Sequence, residues 1–380
     1  MKLNPLQNQV GGHDGVLSMG DDNEIIVKPS LPQEHQFYEE AVLHPELQAW
    51  MPEYYGSLTL TRQQPEQQSK DGTENPESTP TIKAMNGFVL EDLMSSTDRQ
   101  LSSEGSTSTA GLIQQAVEGI QRVGGAAVEG SADAKDAECL CLENISHGFT
   151  KPCILDLKLG TQLFDDNASE EKKARLGAVS ANTTSGKFGL RLTGFQVYDS
   201  TKDDFTKYSK HYGKGLNEDT VLDGFRAYFA ANLGPQRMRL VVERFVNDLT
   251  DFLSTIETLE VRMRSSSLLM LYEGDVEAFD MGLQLEQEKI AAVVARAKAY
   301  YEREGRERRE GGGNEEEEDS DSDDDDDDEE VAQKVTDMRL IDFAHSTWTP
   351  GMGPDTGVVL GVKSALAFFE KLLQDYPSEE

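Results

Sequence analysis

The stretch Pro152–Gly160, PCILDLKLG, combines an apolar segment with two opposite charges. Alternate residues of a strand point to opposite faces, so Asp156 and Lys158 would share one face with Ile154. The three leucines between and after them would form the other face, and the pattern predicts a strand with one fully apolar side. The charged side has two interpretations: an exposed ion pair that contributes little to stability, or the wall of a site for a charged ligand.

Basic residues concentrate a short distance downstream, in ASEEKKAR at 168–175. Ser169 stands where a helix would start, and Lys172 and Arg175 would then lie three residues apart on one helix face. Lys173 adds a third cation to the segment. These cations either pair with the neighbouring glutamates on a solvated helix or bind a small ligand that carries several negative charges.

A second carboxylate lies in an apolar setting, in RLIDFAHS at 339–346. Asp342, between isoleucine and phenylalanine, is costly there unless it pairs or binds a cation, and the alternative is a hydrogen-bonded turn residue. Two acids and a lysine suit a phosphoryl-transfer site, and Lys28 at the end of an early strand is the candidate lysine. The glycines of GGHDG at 11–15 would turn over phosphates, although they lack the spacing of the known phosphate loops.

The charge of the chain is strongly acidic and uneven. Its 380 residues contain 36 Lys and Arg against 70 Asp and Glu, for a formal net charge of −34. Residues 315–330 are all acidic except for two serines. This balance argues against binding to nucleic acids or anionic membranes through bulk charge, so any basic site is a local concentration. The acidic tract is either a solvated loop or a binding tail.

No apolar run approaches the roughly 20 residues of a membrane-spanning helix, and the N-terminal sequence lacks the apolar core of a signal peptide. The three cysteines, Cys139, Cys141 and Cys153, give neither a disulfide framework nor a paired metal motif, which is typical of a reducing compartment. We therefore expect no transmembrane segment, no direct nucleic-acid binding, and a location in the nucleus, the cytoplasm or both.

Strand patterns dominate the first third of the chain and helical periodicity dominates the rest. This order predicts an α+β protein with a smaller N-terminal lobe, residues 1–94, and a larger C-terminal lobe, residues 138–380. A polar insert at 61–80 interrupts the first lobe, and a low-complexity insert at 95–137 separates the two lobes. The acidic loop, taken as 311–330, lies within the second lobe.

Several motifs together resemble the inositol polyphosphate kinase family. PCILDLKLG fits the family signature PxxxDxKxG, and SSLL at 266–269 and IDF at 341–343 follow in the order found in the family. The segment 151–199, YGKGL at 212–216 and GPDTGVVLGVKSAL at 353–366 extend the similarity, which is to the fungal multikinases within this family. The resemblance covers most of the chain apart from the two inserts and the acidic tract.

The resemblance implies a two-lobed, protein-kinase-like fold of the ATP-grasp type, with a small helical inositol-binding segment at 161–190. It implies a multikinase that uses ATP and Mg²⁺ to convert inositol 1,4,5-trisphosphate stepwise to tetrakis- and pentakisphosphate. The alternatives are an inositol hexakisphosphate kinase, an inositol trisphosphate 3-kinase, or a non-catalytic scaffold of a transcription complex. Phosphoinositide headgroups and transcription factors are further candidate partners.

The resemblance also implies a role for each candidate residue. The catalytic residues would be Asp156, Lys158 and Asp342. ATP would bind to Lys28, Glu91, Leu93, Asp156 and Asp342. Within that set Glu34 would be the partner of Lys28, and Glu91 and Leu93 would form the hinge that meets adenine. The metal ligands would be Asp342 and Ser267. The substrate phosphates would contact Lys158, Lys172, Lys173, Arg175 and His345.

Overall fold

The computed structural model describes residues 3–11, 15–20, 22–61, 81–85, 136–310 and 333–376. Four predictions fall outside these residues: nearly all of the polar insert at 61–80, the adenine hinge at Glu91 and Leu93, nearly all of the insert at 95–137, and the acidic loop at 311–330. The described residues form two large antiparallel sheets with helices packed against them. This mixed architecture agrees with the predicted α+β class.

The first sheet has six strands in the order β1-β2-β3-β6-β4-β5. They are β1 (Leu3–Pro5), β2 (Leu17–Met19), β3 (Ile25–Pro29), β4 (Tyr54–Thr61), β5 (Thr81–Met85) and β6 (Asp136–Glu143). Two helices, α1 (Pro32–Ala41) and α2 (Pro45–Gln48), connect β3 to β4. Strand β3 alternates buried and half-buried residues, and Lys28 lies on its half-buried side.

Strand β6 belongs to this first sheet, because it pairs with both β3 and β4. The lobe boundary predicted at residue 138 therefore falls inside a strand of the first sheet, and residues 138–143 pair with the N-terminal strands. The sequence between β5 and β6 hides this pairing, since fifty residues separate two strands that share β4 as a neighbour. The other predicted boundaries stay predictions.

The second sheet has five strands in the order β12-β11-β7-β8-β9. They are β7 (Pro152–Leu159), β8 (Leu190–Asp199), β9 (Asp204–Tyr208), β11 (Ser267–Glu273) and β12 (Thr336–Ile341). A separate two-stranded sheet pairs β10 (Val261–Met263) with β13 (Ser346–Trp348). Strand β7, which carries the PCILDLKLG motif, lies at the centre of the five-stranded sheet.

Seven helices of the described residues accompany this second sheet. They are α3 (Glu170–Ala181), α4 (Thr184–Phe188), α5 (Lys210–Gly215), α6 (Val221–Tyr228), α7 (Pro235–Ile256), α8 (Val276–Glu310) and α9 (Thr356–Leu372). The apolar faces of α6, α7 and α9 meet the leucine side of β7 in one continuous core. No helix within the described ranges combines the length and the apolarity that crossing a membrane requires.

Candidate active site

Strand β7 has the two different faces that its sequence predicts. Leu155, Leu157 and Leu159 are fully buried in the main core, whereas Lys158 on the opposite face is only partly buried. Asp156 lies beside Lys158 but is nearly inaccessible, with 2% of its surface exposed. The prediction of a strand with an apolar side and a charged side is confirmed, and the exposed-ion-pair interpretation is wrong for a carboxylate buried this deeply.

The position of the Lys158 ammonium is fixed by the loop before β11. Lys158 Nζ donates a hydrogen bond to the carbonyl oxygen of Ser265 at 2.6 Å. Ser265 has a positive φ of 63°, and the guanidinium of Arg264 anchors the loop by donating to Asp355 Oδ2 at 2.7 Å. Asp355 also accepts the amide of Met263 and so ties β10 to the start of α9.

Asp342 joins the two lobes through Lys28. Asp342 directly follows β12, and its Oδ1 accepts a hydrogen bond from Lys28 Nζ at 2.7 Å. The same ammonium lies 2.7 Å from Glu34 Oε1, and this oxygen also accepts the amide of Phe343 at 3.1 Å. The pairing of Lys28 with Glu34 is as the resemblance implies, and it gives Asp342 the cationic partner that its apolar setting requires.

Lys28 keeps its proton in this network. Burial by itself lowers the pKa of a lysine, but the carboxylates of Asp342 and Glu34 outweigh burial and raise the pKa of Lys28 well above its usual value. The side chain is therefore a fixed positive charge between the two sheets. A fixed cation in this position is suited to hold phosphate oxygens.

The surroundings of Asp156 disfavour its charged form, whereas those of Lys28 favour its charged form. Burial raises the pKa of its carboxyl to about 6; Lys158 acts to lower this pKa and Asp342 acts to raise it. Its Oδ1 atom is buried and has no hydrogen-bond partner in the described part of the chain. A buried carboxylate oxygen without a partner is costly, so this atom is available to a ligand hydroxyl or a cation.

The burial of the Asp156 carboxyl predicts a pH-dependent difference in the free energy of unfolding between the wild type and Asp156→Asn. Asp156→Asn should stabilise the ligand-free protein above pH 6, because the wild-type folded state must then hold an unfavourable buried charge. The folded pKa of Asp156 lies above the ordinary aspartate value of 3.8, so the wild type loses stability as pH rises from about 4 to about 6 and keeps a constant stability above that range. The expected gain for the variant approaches about 3 kcal/mol at neutral pH and vanishes near pH 4.

Urea unfolding of both proteins at pH 4.5 and pH 7.5 measures this difference. Asp199→Asn is the matched control, since its exposed carboxylate has a lowered pKa through hydrogen bonds from Lys202 and Thr201, so the opposite sign is expected. If the free energies of unfolding of Asp156→Asn and the wild type differ by the same amount at both pH values, ionisation of the buried Asp156 carboxyl does not destabilise the protein, and the prediction is contradicted.

An apolar slot lies between the sheets on the Asp156 side of the network. Its walls are largely aliphatic and include Leu6, Val10, Ile26, Leu142, Ile145, Ile154, Leu269, Leu271 and Ile341. Its charged end is formed by Lys28, Asp156 and Asp342. Apolar walls with a few polar groups at one end are typical of a site for a planar base that carries phosphates.

The chain before β2 covers part of this slot. A Cβ atom on Gly11 would lie 2.5 Å from Asp156 Oδ2, and Gly11 also has a positive φ of 65°. A Cβ atom on Gly194 of β8 would lie 2.9 Å from the Gly11 nitrogen. The backbone therefore passes directly over the Asp156 carboxylate, and only glycine fits there. Of the GGHDG cluster, residues 12–14 are outside the described ranges.

A second, larger cavity of about 640 Å³ lies on the Lys158 side of the network. Basic residues dominate its lining: Lys28, Lys158, Lys172, Arg175, Arg191, Lys210, Lys214, Arg264 and His345. The acids among its lining residues are Glu34, Glu171 and Asp342. Lys28 and Asp342 border both the slot and this cavity, so the two spaces meet at their ion pair.

The basic helix contributes two of its three predicted cations to the cavity. Helix α3 begins after Ser169, whose hydroxyl accepts the Lys172 amide, and Lys172 and Arg175 both line the cavity. Lys173 does not line it, because its ammonium pairs with Glu170 at 2.9 Å on the outer side of the helix. His345 lines the cavity, with Nδ1 4.0 Å from Asp165 Oδ2.

Four basic residues of the cavity were not identified as site residues from the sequence: Arg191, Lys210, Lys214 and Arg264. Arg191 pairs in register with Lys158 and is 7% exposed. Burial lowers the pKa of Arg191, while the nearby Asp156 acts to raise it. Within the sequence, only the YGKGL motif pointed to Lys214, and nothing indicated that β8 would bring Arg191 opposite Lys158.

The donor groups at the junction fit a divalent cation that also binds phosphates. No cluster of three His, Cys, Asp or Glu side chains suited to a metal occurs within the described ranges. Mg²⁺ in phosphoryl-transfer sites needs only one or two carboxylates beside substrate phosphates, and Asp342, the predicted metal ligand, could provide one, with the Asp156 carboxylate nearby as a second candidate. Ser267, opposite both Lys158 and Ile341 in the sheet, is fully buried, and its hydroxyl acts to lower the pKa of the nearby Asp156 carboxyl.

A fixed lysine, two carboxylates and an apolar slot that opens into a basic cavity define a phosphotransferase with a polyanionic acceptor. The comparisons agree, since the family model for inositol polyphosphate kinase matches residues 139–370. The chain belongs to the inositol polyphosphate kinase family and is a kinase.

The chain is similar along most of its length to fungal multikinases. It is 31% identical over 394 residues to inositol polyphosphate multikinase from Saccharomyces cerevisiae, which covers 96% of this chain and 97% of the relative. The Schizosaccharomyces pombe multikinase is 30% identical and covers 72% of this chain and 80% of the relative. Human inositol hexakisphosphate kinase 1 is 26% identical, with coverage of 97% and 93%.

A solved structure shares the fold. The crystal structure of inositol phosphate multikinase Ipk2 from S. cerevisiae in complex with ADP and Mn²⁺ matches with a TM-score of 0.55 and 26% identity. The match covers 92% of this chain and 99% of that chain. The predicted two-lobed, kinase-like fold of this family is therefore confirmed.

Proposed function

We propose that this kinase transfers phosphoryl groups from ATP to inositol 1,4,5-trisphosphate, giving the tetrakisphosphate and then the pentakisphosphate. The observation that carries the proposal is the basic cavity of about 640 Å³ that meets the nucleotide slot at Lys28 and Asp342. Six of the basic side chains that line it have no ion-pair partner among the described residues, although the chain as a whole has a net charge of −34: Lys158, Lys172, Arg175, Arg191, Lys210 and Lys214. Such a concentration suits a small acceptor with several phosphates.

The residues at the junction have distinct roles in this proposal. Lys28, held by Glu34, binds phosphate oxygens of ATP. The resemblance assigns adenine binding to Glu91 and Leu93, which lie outside the described ranges. Asp156 faces the nucleotide, and Lys158 lies between the transferred phosphoryl group and the acceptor. Mg²⁺, when bound, neutralises charge on the phosphates.

The remaining roles concern the metal and the acceptor. Asp342 and Ser267 would hold the metal. The resemblance implies that Lys172, Lys173, Arg175 and His345 bind the substrate phosphates. The position of Lys173 on the outer side of α3 argues for Lys172 and Arg175 as the contacts of that helix. Positioning and positive charge supply most of the catalysis, because the phosphoryl transition state is loose and needs little covalent assistance.

The size of the cavity favours more than one acceptor orientation. Its volume and the distribution of cations over α3, α5 and β8 allow a phosphorylated ring to present different hydroxyls to Lys158. An enzyme for a single hydroxyl would instead be expected to fix the ring in one pose. Similarity to a hexakisphosphate kinase keeps inositol hexakisphosphate kinase as an alternative. Inositol trisphosphate 3-kinase stays the second alternative, which the resemblance to the family implies.

Product analysis tests the proposal directly. Purified protein, ATP, Mg²⁺ and inositol 1,4,5-trisphosphate are incubated, and the products are separated by phosphate number. We expect tetrakisphosphate to appear first and pentakisphosphate to replace it. Accumulation that stops at tetrakisphosphate would identify a trisphosphate kinase, and turnover of inositol hexakisphosphate alone would identify a hexakisphosphate kinase.

Phosphoinositide headgroups carry the same phosphorylated ring, so we include them in the proposed acceptor class. Their use is tested by replacing the soluble substrate with vesicles that contain phosphatidylinositol bisphosphate. Transcription-factor partners stay a prediction from the resemblance, and a nuclear or cytoplasmic location stays a prediction from the composition of the sequence. The absence of any product from all these acceptors would favour the non-catalytic scaffold.

A further inference from the structure

The short helix α5, Lys210–Gly215, supplies two cations to the basic cavity that no motif-based role covers. Lys210 and Lys214 are four residues apart, so they lie on the same helix face, and both line the cavity. Neither ammonium has an ion-pair partner in the described part of the chain. Two neighbouring lysines repel each other, and an anion between them would relieve that repulsion.

This helix is fixed tightly to the sheet. Gly213 packs on β8 so closely that a Cβ atom there would overlap the carbonyl group of Leu192. Tyr212 packs against Phe195 and Tyr208, with ring centroids 5.6 Å and 4.9 Å away. The lysines on either side of Gly213 therefore project from a rigid platform, which makes binding less costly in conformational entropy.

The anchor point of α5 is next to the reaction centre. Leu192 follows Arg191 in β8, and Arg191 is the residue that pairs with Lys158 on β7. Lys172 and Arg175 line the same cavity from α3, a different element. The cavity therefore has cation pairs from two separate helices, with Arg191 and Lys158 on the strands.

We propose that Lys210 and Lys214 form a phosphate-binding subsite for the acceptor, separate from the one formed by Lys172 and Arg175. The identity of the acceptor as an inositol phosphate rests on the proposed function. Charge-assisted hydrogen bonds from both ammonium groups bind one phosphate of the ring while the α3 cations bind another. The two subsites hold the ring from both sides of the cavity. An additional phosphate on the ring increases the affinity by binding to either subsite.

The test compares two double variants that remove the same charge. Lys210→Gln with Lys214→Gln removes the subsite, whereas Lys202→Gln with Lys207→Gln removes two nearby exposed lysines that do not line the cavity. Calorimetry with inositol 1,4,5-trisphosphate, at about 0.15 M ionic strength to screen long-range effects, gives the affinity without turnover. We expect binding to weaken about tenfold or more in the first variant and by less than about twofold in the second.

Steady-state kinetics provide the second readout. In the Lys210 and Lys214 variant, KM for the acceptor should rise about tenfold, while KM for ATP should stay unchanged. The rise in KM should be larger for a tetrakisphosphate acceptor than for the trisphosphate. Equal affinities for the two double variants would overturn the subsite. Failure of the wild type to phosphorylate the trisphosphate would overturn the proposed function instead, and the calorimetric comparison would still decide the subsite.

Discussion

Lys158→Met is expected to lower kcat/KM for the acceptor by about 10² to 10³-fold without unfolding the protein. Removal of one group that stabilises transition-state charge has an effect of this order. Lys158 is partly buried on the open face of β7, and its ammonium contacts the Ser265 carbonyl at 2.6 Å. Methionine keeps an unbranched chain of similar length over the same surface, so the packing of the strand is preserved.

Lys173→Met is the matched control for this variant. Lys173 belongs to the same set of predicted phosphate contacts, but its ammonium pairs with Glu170 and does not line the cavity. We expect its kcat/KM to stay within about twofold of the wild type, as for an exposed pair. Activity of Lys158→Met at the wild-type level, measured under the same conditions, would remove Lys158 from the reaction centre.

Asp342→Asn is expected to lower kcat by about three orders of magnitude and to leave the fold intact. A loss of that size corresponds to about 4 kcal/mol of transition-state stabilisation. Asp342 has a positive φ of 67°, a conformation that asparagine tolerates well. Lys28 keeps its 2.7 Å contact with Glu34 in the variant, so the buried ammonium is not left without a carboxylate.

A binding experiment separates the metal role from general damage. Titration of Mn²⁺ into the ADP complex should show a much weaker metal affinity for Asp342→Asn, with the thermal midpoint of the ligand-free variant within a few degrees of the wild type. Asp337→Asn is the control, because Asp337 lies on the same strand and its carboxylate pairs with Lys334 and Arg339 rather than with Lys28. Unchanged metal affinity and turnover in Asp342→Asn would refute the assignment.

The centre of the site was predictable because its pattern is local. Alternation along PCILDLKLG is enough to separate the buried leucines from Asp156 and Lys158, and a helix start at Ser169 is enough to place Lys172 and Arg175 on one face. The apolar neighbours of Asp342 indicated that it needs a cation. The structure supplies that cation from Lys28, more than three hundred residues away in the chain.

The remaining residues of the site and the pairing of strand β6 could not be predicted from the sequence, because they depend on contacts between distant segments of the chain. Arg191 reaches the cavity only because β8 is in register with β7 at Lys158, and neither sequence specifies that register by itself. Lys210 and Lys214 depend on the close contact of Gly213 with Leu192. Strand β6 joins the first sheet across an insert, so a boundary set by composition at residue 138 could not reveal its partners.

The ion pair of Lys28 and Asp342 borders both the apolar slot and the basic cavity. A ligand in one of the two spaces that changes the charge or position of this ion pair also changes the electrostatic environment of the other space. We therefore expect the binding of the two substrates to be thermodynamically linked. Such linkage is reciprocal: the factor by which nucleotide changes the acceptor dissociation constant equals the factor by which acceptor changes the nucleotide dissociation constant. Cellular ATP levels would in this way help to set how strongly the protein retains its inositol phosphate.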